Sequence, residues 1–357
     1  MVDKEMTSPS DKAMSDRLSK NYGHARIGVV GVGGGGTNAI ARLISQGPHD
    51  LEFICVNTDT QSLQYVQGAK KIQIGSDVTG GFGAGGNPET GESAAEESKD
   101  ELAEALQGMD LVFVTVGMGG GTGTGAAPIV ARVAKEQGAL AIGLVTTPFA
   151  FEGERRMEIS LSGAERLRAE CDNLIIIHND RLLRLVKKEM PIDEAFARAD
   201  EAVTQGIAAV SQLVNEPAAI NVDFADVRSV LSIKGRSLMA VGIGEGPDGP
   251  MEAAQQAVEN PLLDMSTDKA KGVLFQIVGG SDMTLGQVNS VGKLIAKSVD
   301  KRAIIFFGMT TKRHMEGKCQ VTILATGIPE VGDEETSNTP QSAQMNRLMA
   351  MPSVSRD

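Results

Sequence analysis

Residues 26–40 read Arg26-Ile27-Gly28-Val29-Val30-Gly31-Val32-Gly33-Gly34-Gly35-Gly36-Thr37-Asn38-Ala39-Ile40. A short apolar run, a run of glycines and then a helical period spell strand, glycine turn and helix. The same order returns further on: Asp110-Leu-Val-Phe-Val-Thr-Val116 has the pattern of a buried strand, and Gly117-Met118-Gly119-Gly120-Gly121-Thr122-Gly123-Thr124-Gly125 follows it. A helix is expected next, with Pro128 in its first turn and Gly138 stopping it. Between these units a strand over 51–56 ends in Asn57-Thr58-Asp59. The stretch 80–88 is too rich in glycine to be an element and reads as a loop, and a helix is expected over about 90–107. Strands follow at 139–146 and 173–178. Strands alternating with helices at this spacing imply a doubly wound parallel α/β sheet, whose ligands bind beyond the carboxyl ends of the strands. The glycine loops sit at those ends.

Beyond this domain, placed at 25–194, a connecting helix is expected over 195–220. Phe196, Ala199, Val203, Ile207, Val210 and Val214 recur along it at spacings of three and four, the pattern of a buried stripe. Residues 221–330 read as a smaller α+β domain with a mixed sheet: strands at 237–243, 273–278, 303–307 and 320–325, helices near 251–259 and 285–299. Residues 1–24 and 331–357 are polar and without period, the composition of disordered tails.

The chain has 357 residues, 42 of them glycine, and a formal charge of −12 from 34 basic and 46 acidic side chains. That balance, with no basic block, argues against a nucleic-acid partner. The three cysteines are far apart and lack CxxC spacing, so neither a disulfide framework nor a zinc site is expected, and a reducing cytoplasm fits. No apolar run is long enough to cross a bilayer, so direct membrane insertion is not expected.

Glycines near a helix N-terminus have a chemical use. Backbone N–H groups free of side chains converge on phosphate oxygens, and the helix end adds partial positive charge. Two such loops suggest a polyphosphate. Gly31-x-Gly33-x-x-Gly36 also satisfies the dinucleotide fingerprint, with Asp59 roughly where an acid would hold a ribose, so an NAD-dependent oxidoreductase is the rival reading. Neither loop is followed by Lys-Ser or Lys-Thr, so a Walker-type loop is absent and the phosphates would be held mainly by backbone.

Six segments carry a resemblance: Gly31-Val-Gly-Gly-Gly-Gly-Thr-Asn38, Asn57-Thr-Asp59, Gly83-Ala-Gly-Gly-Asn-Pro-Glu-Thr-Gly91, 119–125, Pro148-Phe-Ala-Phe-Glu-Gly153 and Asn221-Val-Asp-Phe-Ala-Asp226. In this order they resemble the motif set of FtsZ, the tubulin-like cell-division GTPase, over about residues 25–328. The resemblance implies GTP and GDP as ligands, with the phosphates on Gly33, Gly34, Gly35, Asn38, Gly85, Gly86, Gly119, Gly120, Gly121, Thr122, Gly123, Thr124 and Gly125. Phe196 and Asp200 match the base-binding pair, a ring to stack and a carboxylate to accept from guanine N1–H and N2–H; adenine would set a lone pair against that carboxylate. Glu152, Arg156 and Asn179 match positions touching the guanine or the ribose and phosphate edge. Mg2+ would bridge the β- and γ-phosphates, held mainly by phosphate and water.

Hydrolysis of a γ-phosphate needs a group to orient or deprotonate water, and the glycine loops supply none. The resemblance places that group in 221–226: Asp223 and Asp226 polarise the water for the next subunit and Asn221 helps bind its nucleotide. On residues alone, Asp223 with Asp226 three positions on reads as a helix cap. Each subunit would then carry half a site, completed by head-to-tail contact into an open filament. The family's setting implies a division ring at mid-cell in the cytoplasm, reached through adaptor or membrane-tethering partners. A slowly hydrolysing GTP-binding scaffold of the same fold is the alternative, one that the intact Asp223 and Asp226 argue against. His178, Thr147 and the segment 233–240 depart from the usual family pattern.

Overall fold

The structure is a computed structural model and describes residues 24–45, 50–182, 190–216, 218–260 and 267–329. The expected tails lie outside these residues, His24 excepted.

Strands β1 (Ile27–Val32), β2 (Glu52–Asn57), β3 (Lys70–Gln73), β4 (Leu111–Gly117), β5 (Leu140–Thr147) and β6 (Asn173–His178) pair in parallel in the order β3-β2-β1-β4-β5-β6. β1 is buried at every residue, with Gly28 opposite Glu52 on β2 and Ile27 opposite Leu111 on β4. Chain direction across the sheet switches at β1 and β4, which opens a crevice outside their carboxyl ends.

The helices of this part are α1 (Gly33–Ser45), α2 (Thr60–Gln64), α3 (Ser76–Thr79), α4 (Pro88–Glu97), α5 (Lys99–Leu106), α6 (Thr122–Glu136), α7 (Glu154–Glu170), α8 (Asn179–Leu182) and α9 (Ile192–Asn215), followed by α10 (Phe224–Leu231). Val30 and Val32 point into a core shared with Ala94 and Ala95 of α4, Leu102 and Leu106 of α5 and Leu167 of α7. Ile27 and Val29 point the other way, to Ile40 and Leu43 of α1, Val203 and Ile207 of α9 and Val227 of α10. With helices on both faces the strands need apolar side chains on both, which is why they read as continuous runs.

The chain continues through β7 (Arg236–Glu245), α11 (Gly249–Val258), β8 (Gly272–Gly279), α12 (Leu285–Lys297), β9 (Ile304–Thr311) and β10 (Lys318–Ile328). β7–β10 and β10–β8 are antiparallel and β8–β9 is parallel, the mixed sheet expected. The two sheets meet at one register pair, Ile175 with Ser237, so the strand order runs unbroken through ten strands. α12 starts on a reciprocal cap: Thr284 Oγ1 accepts from Gln287 N at 3.3 Å, and Gln287 Oε1 accepts from Thr284 N at 2.9 Å.

Several expectations are corrected. The helix over 90–107 is two helices that break at Ser98, whose hydroxyl accepts from Gly75 N at 3.1 Å. The connecting helix ends at Asn215 rather than 220; Glu216 precedes a proline and is extended, as that position favours. Pro128 is not in the first turn of α6, which begins at Thr122, so the proline removes one interior backbone bond. The short edge strand β3, half exposed, offered no apolar run to read.

Candidate functional site

The first two glycine loops meet. β1 runs directly into α1 and β4 into α6, so both helix N-termini open at the crevice, and neither has an acid in its first turn. Gly33 has φ +71, and a Cβ there would stand 2.8 Å from Gly123 N. A Cβ on Gly35 would stand 3.0 Å from Gly117 Cα. At Gly34 and Gly120, by contrast, a Cβ would meet nothing within 4 Å. The glycines thus divide into those that let two loops touch and those that leave backbone open to a ligand.

Inside the second loop, Gly119 N donates to Thr124 Oγ1 at 2.9 Å, and the hydroxyls of Thr122 and Thr58 lie 2.6 Å apart. Gly125 N donates to Gly121 O at 3.0 Å. Gly119, Thr124 and Gly125 therefore use these groups to hold the loop's shape. Thr122, Gly123 and Thr124 contribute first-turn N–H groups that have no acceptor within the helix. The third loop lies alongside, since a Cβ on Gly121 would stand 2.8 Å from Asn87 N. Gly85 and Gly86 in it have φ +59 and +77 with open space around them, and Asn87 caps α4, accepting from Glu89 N at 3.0 Å. The backbone-lined cradle expected from the residues is present as a geometry.

From the cradle an open cleft extends toward α9. Gly35, Asn38, Glu152, Arg156, Asn179, Phe196 and Asp200 all line it. Phe196 is 37% exposed while Ala199, Val203, Ile207 and Val210 below it are buried, so the helical stripe is core only from Ala199 onward. Its ring stands edge-on to Phe149 at 5.2 Å and to Phe151 at 6.5 Å, and Phe149 stacks on Phe151 at 5.1 Å. Asn179, the first residue of α8, lines the cleft and is buried, and among the described residues its Oδ1 has no hydrogen-bond partner, which suits a ligand donor.

The two acids of the cleft are each paired. Glu152 meets Arg156 at 2.8 Å and accepts from Phe149 N at 2.9 Å. Asp200 Oδ2 accepts from Arg42 Nε at 2.8 Å; burial pushes the Asp200 carboxyl up to about 6 against the lowering pull of that guanidinium. Arg42 was not among the residues read from the sequence. Its position one turn after Asn38 on α1 was the signal available. Thr147 and Pro148 also line the cleft, whereas His178 does not. Burial first, then Arg181 and Arg236, hold His178 below the ordinary imidazole range, and its Nδ1 lies 3.4 Å from Thr147 Oγ1. The segment 233–240 turns through Gly235 into β7.

Asp59 is committed elsewhere. Its carboxylate caps α2, accepting from Gln61 N at 2.9 Å and from Ser62 Oγ at 2.6 Å, and the Ser62 hydroxyl holds it below the usual carboxylate range. Among the described residues no group of three or more His, Cys, Asp or Glu is placed to hold a metal ion, and no helix is long and apolar enough to cross a membrane.

Asn221, Asp223 and Asp226 are not brought to this cleft. Their segment is tied to β9: Ala219 N donates to Met309 O at 2.9 Å and Met309 N to Ile220 O at 3.1 Å. Asn221 Oδ1 accepts from Ala218 N at 2.9 Å. Asp223 holds the N-cap position of α10, yet its side chain makes no capping bond, which corrects the capping-box reading of the residues alone. The Asp223 carboxylate is exposed, that of Asp226 is half-buried, and neither has an ion-pair partner among the described residues.

Residues 26–187 match the model of the Tubulin/FtsZ family, GTPase domain, and residues 235–329 that of the FtsZ family, C-terminal domain. Among solved structures, an empty FtsZ dimer from M. jannaschii is 39% identical over 90% of this chain and 93% of that one, with a TM-score of 0.82. A point mutant of the same protein is 40% identical over 90% and 96%, with a TM-score of 0.84. A GTPγS-bound protofilament of CetZ2 from Haloferax volcanii is 21% identical over 91% and 100%, with a TM-score of 0.74, a likeness of fold alone.

Proposed function

Because this chain belongs to the FtsZ family of tubulin-like GTPases, we propose that it polymerises head to tail into the filaments of a division ring and hydrolyses GTP where subunits meet. The observation that carries this reading is the separation of cradle from carboxylates. The cleft offers open backbone at Gly34 and Gly120 for phosphate and an unpartnered Asn179 Oδ1 for the base, but its acids are paired with arginines. Asp223 and Asp226 have no ion-pair partner among the described residues and lie outside the cleft, on a segment that Ile220 bridges to β9. A neighbouring subunit that presents them to the γ-phosphate completes the set: the carboxylates orient the attacking water and take up its proton, and the helix ends at Gly33 and Thr122 stabilise charge spread over the phosphoryl oxygens. Asn221 contributes to nucleotide binding from across the same contact.

Mg2+ bound with the nucleotide would supply neutralisation of phosphate charge. The residues of the cleft fit an ion carried by phosphate and water, since Glu152 and Asp200 are engaged by Arg156 and Arg42. Recruitment by adaptor or tethering proteins to a mid-cell site in the cytoplasm belongs to the same reading. Twice the identity to FtsZ as to CetZ supports a division role over another filament function.

The test is GTP turnover per subunit against protein concentration. It rises from near zero in dilute monomer to a plateau above the assembly threshold; turnover that stays flat on dilution overturns the proposal.

A further inference from the structure

Arg42 Nε donates to Asp200 Oδ2 at 2.8 Å, joining α1 to α9 across the inner wall of the cleft, and both side chains line it. The Asp200 side chain is 17% exposed and that of Arg42 39%. We propose that Arg42 is a positioning residue for base recognition: it holds the Asp200 carboxylate ionised and fixed in rotation toward the donor edge of the base. The inference rests on the guanine-nucleotide reading above and adds to it a residue that no motif pointed to.

Three features support it. First, the pair joins two elements: the Arg42 guanidinium on α1 meets the Asp200 carboxylate on α9 at 2.8 Å, which restricts rotation of the carboxylate at the cleft wall. Second, Asp200 is a buried acid, and burial disfavours its charged form, the stronger acceptor from N1–H and N2–H donors. Burial has already pushed it up to about 6, so the cation beside it decides whether it is charged at neutral pH. Among the described residues, Arg42 alone of the charged groups near α9 acts on it. Glu152 and Arg156, across the cleft, are paired at 2.8 Å. Arg198 and Glu201, on α9 itself, are paired at 3.0 Å. Asp180 of α8 accepts from Ala150 N at 2.8 Å, and Arg181 and Arg236 act on His178. Third, α1 begins in the phosphate loop at Gly33, nine residues and about 13 Å of helix before Arg42. One rigid element therefore places both the phosphate turn and the group that aims Asp200.

The test is calorimetric titration with GTP from pH 5 to 8 on the wild type, Arg42→Gln, Arg42→Lys and Asp200→Asn, each checked by thermal unfolding. In the wild type, affinity is flat above neutrality and falls as pH drops through about 6. Arg42→Gln binds about tenfold more weakly at pH 7.5, and its fall begins about one pH unit higher, because the lowering charge is gone. Arg42→Lys keeps the charge and so keeps the wild-type break-point, while losing a few-fold in affinity with the planar nitrogen. Asp200→Asn binds weakly and keeps only the shallow limb that protonation of the GTP γ-phosphate itself produces. Arg42→Met replaces Arg42→Gln should the latter fail to fold. An unchanged break-point in a folded, charge-removed variant overturns the inference while leaving GTP binding intact. An acid limb in Asp200→Asn as deep as that of the wild type, beyond what protonation of the GTP γ-phosphate produces, overturns it too. A wild type that binds no GTP at pH 7.5 is a different result, one that removes the guanine reading itself and this inference with it.

Discussion

Gly33 and Gly123 touch backbone to backbone: a single added carbon on Gly33 would stand 2.8 Å from the amide nitrogen of Gly123. That contact locks the N-terminus of α1 against the N-terminus of α6 and makes two turns, distant in the chain, into one cradle. It also explains why the first glycine run cannot be treated as uniform. Its members have different neighbours, and substitutions within it should separate folding from binding.

Gly33→Ala is expected to lose about 1–3 kcal/mol, because alanine must take φ +71 and the loops must part. Gly34→Ala, with open space and helical backbone, should be as stable as the wild type or gain up to about 1 kcal/mol while weakening GTP binding. Urea unfolding alongside nucleotide titration checks both. Equal stability loss in the two variants would contradict the division.

Thr124→Val removes the acceptor for Gly119 N, a buried group with no replacement partner in a valine. A loss of about 1–3 kcal/mol is expected, with GTP affinity lowered as the loop relaxes. Thr124→Ser, which keeps the hydroxyl, should recover most of the affinity.

Asp223→Asn should leave stability within about 0.5 kcal/mol, because the carboxylate makes no capping bond to lose. Nucleotide binding by dilute subunits should also be unchanged, while turnover at assembling concentrations falls by about a hundredfold or more. The same holds for Asp226→Asn. Mixing Asp223→Asn with a cradle variant such as Gly34→Ala should recover part of the lost turnover, since each supplies the half-site that the other lacks.

Burial pushes the thiols of Cys55 and Cys171 up to about 11 and that of Cys319 to about 12. At pH 8 the thiolate fraction of the first two is about one in a thousand, so thiol reagents should label the native protein slowly and only through opening. Labelling monitored by mass spectrometry should follow urea unfolding, and rapid modification of the native chain would contradict the packing around these residues.

Much of the parallel sheet was legible in the residues because its signals are local. An apolar run such as 27–32 followed by glycine and a helical period depends on neighbours a few positions away, and so do the strand ends that carry the loops. The misreadings have the opposite character. Ser98 breaks a helix because Gly75, from another segment, donates to it. Asp59 looked like a ribose acid because its place at the end of β2 is visible in sequence, whereas the Ser62 hydroxyl that occupies it is a matter of rotamer.

By itself the sequence determined the alternation of strands and helices, the position of the glycine loops and, through the ordered motifs, membership of a GTPase family. Only the tertiary structure decided how each functional side chain is used. Phe196 lies on the same periodic stripe as Val203 and Ile207, yet it stands half-open among phenylalanines because it lines the cleft. Asp223 occupies a cap position without capping, and Arg42 meets Asp200 from a different helix. Periodicity follows from backbone geometry repeated every few residues. Which side chain meets which depends on how separate elements pack, and no local pattern encodes that.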